Sequence, residues 1–220
     1  MKNSPASIAP LIESIHDKSP VTGFTHAYYR YPARFSPRFA EAAIELFTQP
    51  GEIVYDPFVG GGTALVEAMR LRRRGIGTDL NSLAVFVSKI KTTILSDNDI
   101  LALRAWVQEA QSNLKLTRLI DRPVNWISQG YQRNLSGRTT WPTRKTIEIA
   151  LVDLDSLQSD IQRDFLRCLL LKTAQWAVDC RKRHPSARDF RRRLIVYAEE
   201  MIEGALALRE ELKLPGTVSS

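Results

Sequence analysis

The 220-residue chain has little of what builds metal centres or disulfide frameworks: two cysteines, Cys168 and Cys180, and three histidines. None of these stands at the paired spacing of a zinc site. Two thiols in helical sequence read as reduced cysteines at or near a helical core. No run of about 18 apolar residues is available to span a bilayer, and the N-terminus lacks the basic-then-apolar layout of a secretory signal. The expected location is therefore cytoplasmic. No Gly-Lys-Ser/Thr follows a glycine loop, which excludes a P-loop, and no two prolines are adjacent anywhere.

Acidic residues are the scarcer charge, 24 against 31 lysines and arginines, giving a net charge of +7 and a pI of about 9.6. A basic balance makes a polyanion a plausible partner without identifying one. Hydrophobic residues at 44% and charged residues at 25% are ordinary for a globular protein with a buried core. The length allows one large domain or two small ones.

The chain is organised around Val54 to Asn81, VYDPFVGGGTALVEAMRLRRRGIGTDLN. The pattern predicts a strand over 52–55, a glycine loop at Gly60, Gly61 and Gly62, a helix over 63–72, and a short, central and buried second strand over 75–79. Closely spaced glycines between a strand and a helix let backbone N–H groups face a ligand, because no Cβ blocks the approach. Asp79, at the carboxyl end of the second strand, stands where a carboxylate can accept hydrogen bonds from both hydroxyls of a ribose. The spacing departs from the dinucleotide fingerprint, since Leu65 stands where its third glycine belongs. Asp56-Pro57-Phe58 ahead of the loop is also no part of that fingerprint.

Before this stretch, residues 1–22 read as a loosely held arm with an apolar patch at Ile8 to Ile15. Thr25 to Pro37, THAYYRYPARFSP, alternates aromatics with Arg30 and Arg34 on a backbone that Pro32 and Pro37 keep from being helical. Such a loop can line a pocket, grip a phosphate backbone or simply pack on the core. A helix over 36–47 follows, with Ser36 as its N-cap. After Asn81 a helix over 83–94 carries Lys89 and Lys91 on a polar side. The rest is helical: 97–116 with an aspartate N-cap, a polar connection over 117–142, then 143–158, 160–182 and 187–213. Pro123 and the Gly130 to Gly137 loop mark the best boundary in that tract. Arg181, Lys182, Arg183, Arg188, Arg191 and Arg192 form its densest positive charge, either a solvated helix surface or a contact for a nucleic-acid backbone.

DPFVGGGT at Asp56 to Thr63 and GTDLN at Gly77 to Asn81 resemble motifs I and II of the amino-methylating DNA methyltransferases, and YPARFSP at Tyr31 to Pro37 is similar to their motif X. The resemblance covers roughly residues 24–92. It implies S-adenosyl-L-methionine as cofactor, DNA as partner, and a Rossmann-like class I α/β core, here with a truncated sheet and a large helical region in the C-terminal half. It implies a cofactor-binding part over 23–96, a helical region over 97–213, and a tail or next strand over 214–220. Asp56, Pro57, Phe58, Gly60, Gly61, Gly62 and Thr63 would hold the methionine and sulfonium part. Asp79 would hold the ribose, with Leu80 beside the adenine and Asn81 next to it. Tyr31, Phe35 and Ser36 would close over the methionine end. Phe58 and Leu80 read equally well as core residues.

The family orients its target amine with an Asp/Asn/Ser-Pro-Pro-aromatic tetrapeptide, and the missing Pro-Pro pair leaves no catalytic residue to assign. Carbon-5 methylation needs a nucleophilic cysteine, and neither Cys168 nor Cys180 stands in a suitable setting. The chain thus reads as the N-terminal portion of an N6-adenine or N4-cytosine DNA methyltransferase, with a second polypeptide or a homo-oligomer completing it. An RNA methyltransferase and a non-catalytic subunit that keeps the fold are the alternatives.

Overall fold

The computed structural model describes residues 8–19, 21–32, 35–119, 137–179 and 183–213. The described residues fall into two compact units, one within the bounds 1–94 and 203–220 and the other within 95–202.

In the first unit the apolar patch near the N-terminus becomes a helix, α1 (Ala9–Ile15), lying against α2 (Pro37–Phe47). Pro37 opens α2, where its missing N–H costs nothing. Ser36 holds the N-cap position with extended backbone, yet its side chain makes no capping bond. β1 (Ile53–Asp56), α3 (Thr63–Arg70) and β2 (Arg74–Gly77) follow as one βαβ unit, and α4 (Ser82–Lys91) completes the run. The strands are parallel, with Ile53 opposite Arg74 and Asp56 opposite Gly77.

Two glycines explain how closely α3 approaches this sheet. A Cβ on Gly75 would stand 3.0 Å from Leu65 Cδ2, and one on Gly77 would stand 2.9 Å from Leu65 Cδ1 and 2.7 Å from Val59 Cγ2. Leu65 therefore fills the space that side chains on β2 would otherwise need. Val66 and Ala68 of α3 are fully buried.

The opposite sheet face is open. Ile53, Tyr55 and Ile76 are 53%, 59% and 47% exposed. The expectation of a buried second strand is corrected accordingly: β2 ends at Gly77, Arg74 and Ile76 face solvent, and Gly75, though turned toward α3, is itself exposed. Its brevity reflected a strand covered by a helix on one face only. The sheet has two strands among the described residues.

The second unit is helical, built from α5 (Asp97–Asn113), α6 (Trp141–Asp153), α7 (Asp160–Val178) and the leading turns of α8 (Ala187–Lys213). The α5 N-cap is Ser96 and not the aspartate expected from sequence. Its hydroxyl accepts from the Asp99 amide while Asp99 bonds back to the Ser96 amide, so serine and aspartate cap reciprocally. Leu103, Trp106 and Val107 of α5, Phe165, Leu166 and Leu169 of α7, and Phe190, Leu194 and Met201 of α8 form its core. Cys168 is buried among them as a free thiol. Pro123, Gly130, Cys180 and the tail over 214–220 lie outside the described residues. No helix among the described residues is long and apolar enough to cross a membrane.

In the first unit, Gly204 of α8 sits so close to the turn at Phe24 that a Cβ would meet the Phe24 carbonyl oxygen at 2.1 Å. Gly204→Ala should lower unfolding free energy by about 2 kcal/mol, the range for forcing an extra methyl into a filled site. Urea unfolding reads this, and an unchanged midpoint would contradict the close approach.

Candidate functional site

The βαβ unit brings the two aspartates to the carboxyl edge of neighbouring strands. Backbone bonds from Thr78 N to Asp56 O (3.0 Å) and from Val59 N to Thr78 O (2.9 Å) extend the pairing past both strand ends. The Asp56 side chain accepts from the Phe58 amide at 3.0 Å, which bends the chain into the loop. Gly60 and Gly62 then take φ of +48° and +75°, the left-handed region that side chains disfavour. Space is equally restrictive at Gly62, where a Cβ would lie 2.8 Å from Ser88 Cβ on α4. Gly62 donates to Val59 O at 2.7 Å and, as the N-cap of α3, starts the helix.

Asp79 ties the loop to the second strand. One of its oxygens accepts from the Gly60 amide at 2.9 Å and the other from the Asn81 amide at 2.8 Å. Hydrogen bonds from Asn81 first, then Gly60 and Leu80, favour the charged form and hold the Asp79 carboxyl below the usual carboxylate range, against a smaller opposing effect of desolvation. Asn81 also caps α4 by accepting from the Leu83 amide at 3.0 Å, and its Nδ2 donates to the Tyr31 hydroxyl at 3.1 Å. The Tyr31 ring lies over the loop, its Cδ1 3.4 Å from where a Gly60 Cβ would stand. Tyr31, Gly60, Gly61, Asp79 and Asn81, scattered over 50 positions of sequence, thus form one cluster.

Phe58 and Leu80, 77% and 100% exposed, flank that cluster and are not core residues. Pro57 is exposed beside Phe58, and Thr63 is buried at the first position of α3 with its hydroxyl unpaired. Phe35 and Ser36 lie at the entry to α2, where the Phe35 ring stacks on Phe39 at 5.5 Å.

Sequence reasoning missed two features beneath the loop. Lys91, expected on a polar helix side, is 1% exposed and donates to the Gly61 carbonyl at 2.8 Å. His26 and Glu67, both buried, meet at 2.7 Å, and Arg70 donates to the second Glu67 oxygen at 2.8 Å while also pairing with Glu41. Their partners are distant in sequence, and a single sequence carries no signal for such pairs.

The basic residues fare unevenly. Arg30, Arg183, Arg188 and Arg192 are exposed, whereas Arg191 turns inward and donates to the Leu114 carbonyl at 3.2 Å. Arg191 is thereby removed from the candidate surface, since its guanidinium satisfies the carbonyl at the end of α5. Arg34, Arg181 and Lys182 lie outside the described residues. The helical unit also stacks cations on rings: Arg193 lies 5.0 Å from the Trp176 ring and 5.4 Å from Tyr197, and Lys172 lies 4.5 Å from Tyr197.

Residues 11–89 match a family model described as DNA methylase, of the N6/N4 methyltransferase type. Over 97 residues the chain is 41% identical to the type II methyltransferase M.MvaI of Kocuria varians, covering 39% of this chain and 21% of that protein. Over 70 residues it is 30% identical to the type II methyltransferase M.MjaII of Methanocaldococcus jannaschii, covering 32% of this chain and 13% of that protein. The aligned part therefore spans about a fifth or less of each relative's length. No solved structure matches. The resemblance to amino-group DNA methyltransferases holds for this N-terminal segment.

A carboxylate whose native pKa is depressed stabilises its surroundings fully above its unfolded value, about 4, and loses that effect as pH falls through the lower native value. The Gly60 amide resonance should therefore titrate with Asp79 below about pH 4, and Asp79→Asn should abolish that titration. A Gly60 signal in two-dimensional NMR that stays fixed through acidification would contradict the bond.

Proposed function

We propose that the first unit is the S-adenosyl-L-methionine-binding part of a DNA methyltransferase acting on an exocyclic amine of adenine or cytosine. The observation that carries this reading is Asp79, held by the Gly60 amide at the carboxyl edge of β2 and beside a glycine loop too tight for side chains. The Asp79 carboxylate accepts backbone N–H groups of Asn81, Gly60 and Leu80, and with roughly four acceptor sites it keeps capacity for a ribose hydroxyl. The residues fit the cofactor in a second respect: the buried Thr63 hydroxyl at the start of α3 has no partner and is available to a polar ligand group.

In this reading Asp56 and the segment through Thr63 hold the methionine end, with Tyr31, Phe35 and Ser36 closing over it. Exposed Leu80 and Phe58 offer apolar surface to the adenine and to the cofactor. When bound, the cofactor supplies an electrophilic methyl group. In this reading these residues bind and orient the cofactor, and the Pro-Pro-aromatic tetrapeptide with which the family positions its target amine is absent from the sequence. Arg30, Arg183, Arg188 and Arg192 supply positive charge for DNA phosphates.

The uncovered face of Ile53, Tyr55 and Ile76 supports a further part of the reading, that additional strands and helices complete a Rossmann-like sheet here. They would come from more chain, a second polypeptide or another copy.

Calorimetric titration with S-adenosylmethionine tests the cofactor assignment. Wild type should bind, and Asp79→Ala should weaken binding at least about tenfold, the effect of losing a charged hydrogen-bond acceptor. No heat with wild type, or equal affinity in the variant, would sink it. The open face also predicts concentration-dependent self-association of the chain by light scattering, relieved by Tyr55→Lys; a chain that stays monomeric at high concentration would count against an uncovered face.

A further inference from the structure

Lys91 ends α4, and a cation there meets the favourable end of the helix dipole. Yet its side chain is not at the surface. It is 1% exposed, and an ammonium is costly to bury unless hydrogen bonds replace its water. The bond to the Gly61 carbonyl at 2.8 Å is such a replacement, charge-assisted and stronger than one between neutral groups. The main chain of the same residue is fixed as well: the hydroxyl of Thr25, itself fully buried, donates to the Lys91 carbonyl at 2.8 Å.

The bond constrains one peptide of the loop. With its carbonyl drawn to a buried ammonium, the Gly61 peptide cannot rotate without breaking a buried, charge-assisted hydrogen bond. The room around Gly61 is closed in the same sense. A Cβ there would stand 3.0 Å from Tyr31 Cβ and 3.7 Å from Lys91 Nζ. Glycines at φ of +48° and +75° on either side are intrinsically mobile, so the loop needs an external restraint to keep one shape.

We propose that Lys91 is a positioning residue for the glycine loop, fixing the Gly61 peptide from the protein interior so that the loop is pre-formed for its ligand. The functional consequence rests on the cofactor reading of that loop. The restraint itself does not, and it can be measured without ligand.

Hydrogen exchange in the full chain is the test, comparing wild type with Lys91→Met, which keeps most of the length and apolar stem and removes the ammonium. The Gly60 and Gly62 amides should exchange about tenfold faster in the variant, the loss of one net charged hydrogen bond, while β1 amides keep their wild-type rates. Unchanged loop rates, or an equal acceleration in loop and strand, would overturn the proposal, the latter because it marks a general loss of stability. If Lys91→Met does not fold, Thr25→Val gives the same comparison with a smaller, loop-confined acceleration expected; no acceleration there would overturn it too. Titration with S-adenosylmethionine then separates the two readings. Failure of wild type to bind counts against the cofactor assignment alone, and binding by wild type with undiminished affinity in a loop-loosened variant counts against pre-formation.

Discussion

A carboxylate inside a packed helix must be matched by cations and donors, and Glu67 of α3 imposes that demand on the whole first unit. It is 2% exposed, and its two oxygens are taken by His26 from the turn before α2 and by Arg70 one helical turn later. Burial works against the Arg70 charge, and Glu41 and Glu67 more than offset it, raising its pKa. Arg70 also approaches Glu211 of α8 at 3.6 Å. One buried charge thus links the 26–28 turn, α2, α3 and the end of α8. Removing Arg70 would leave the buried Glu67 carboxylate with His26 as its remaining partner among these contacts, and a buried charge short of a partner costs more than the lost pair contributes.

With α3 held in this way, its N-terminus and the loop before it are held too. The loop receives independent restraints from different elements: Asp79 on Gly60, Lys91 on Gly61, and Ser88 closing the space at Gly62. Tyr31 covers it and reaches Asn81. Under the proposed cofactor role, a loop restrained in this way gives up little conformational freedom when a ligand arrives, which is how pre-organisation raises affinity. The glycines supply the shape, and their neighbours keep it.

The strand, loop and helix from Ile53 to Arg70 were legible because local rules govern them: apolar strand residues, a glycine cluster, an amphipathic helix. Helix α8 was legible for the same reason. Burial on β2 was not, since a short strand looks alike whether one face is covered or both. Lys91 and Arg191 were read as surface cations because nothing in a helical period announces a buried carbonyl facing them. The Ser96 cap was misread by one residue, the scale at which serine and aspartate compete for the same position. Of the proposed ligand-binding cluster, the motif residues were visible, but the side chains that fix them were not.

The βαβ unit occupies 25 consecutive residues, Ile53 to Gly77, so its strands meet through a short crossover. Closing so brief a loop incurs a small entropic cost. The clamps on the unit span more chain: 30 residues separate Gly61 from Lys91, and 41 separate His26 from Glu67. Contacts of that reach are reached later in a search that favours near neighbours. The glycine loop is therefore a local product of its own sequence in outline, and a product of its distant neighbours in rigidity.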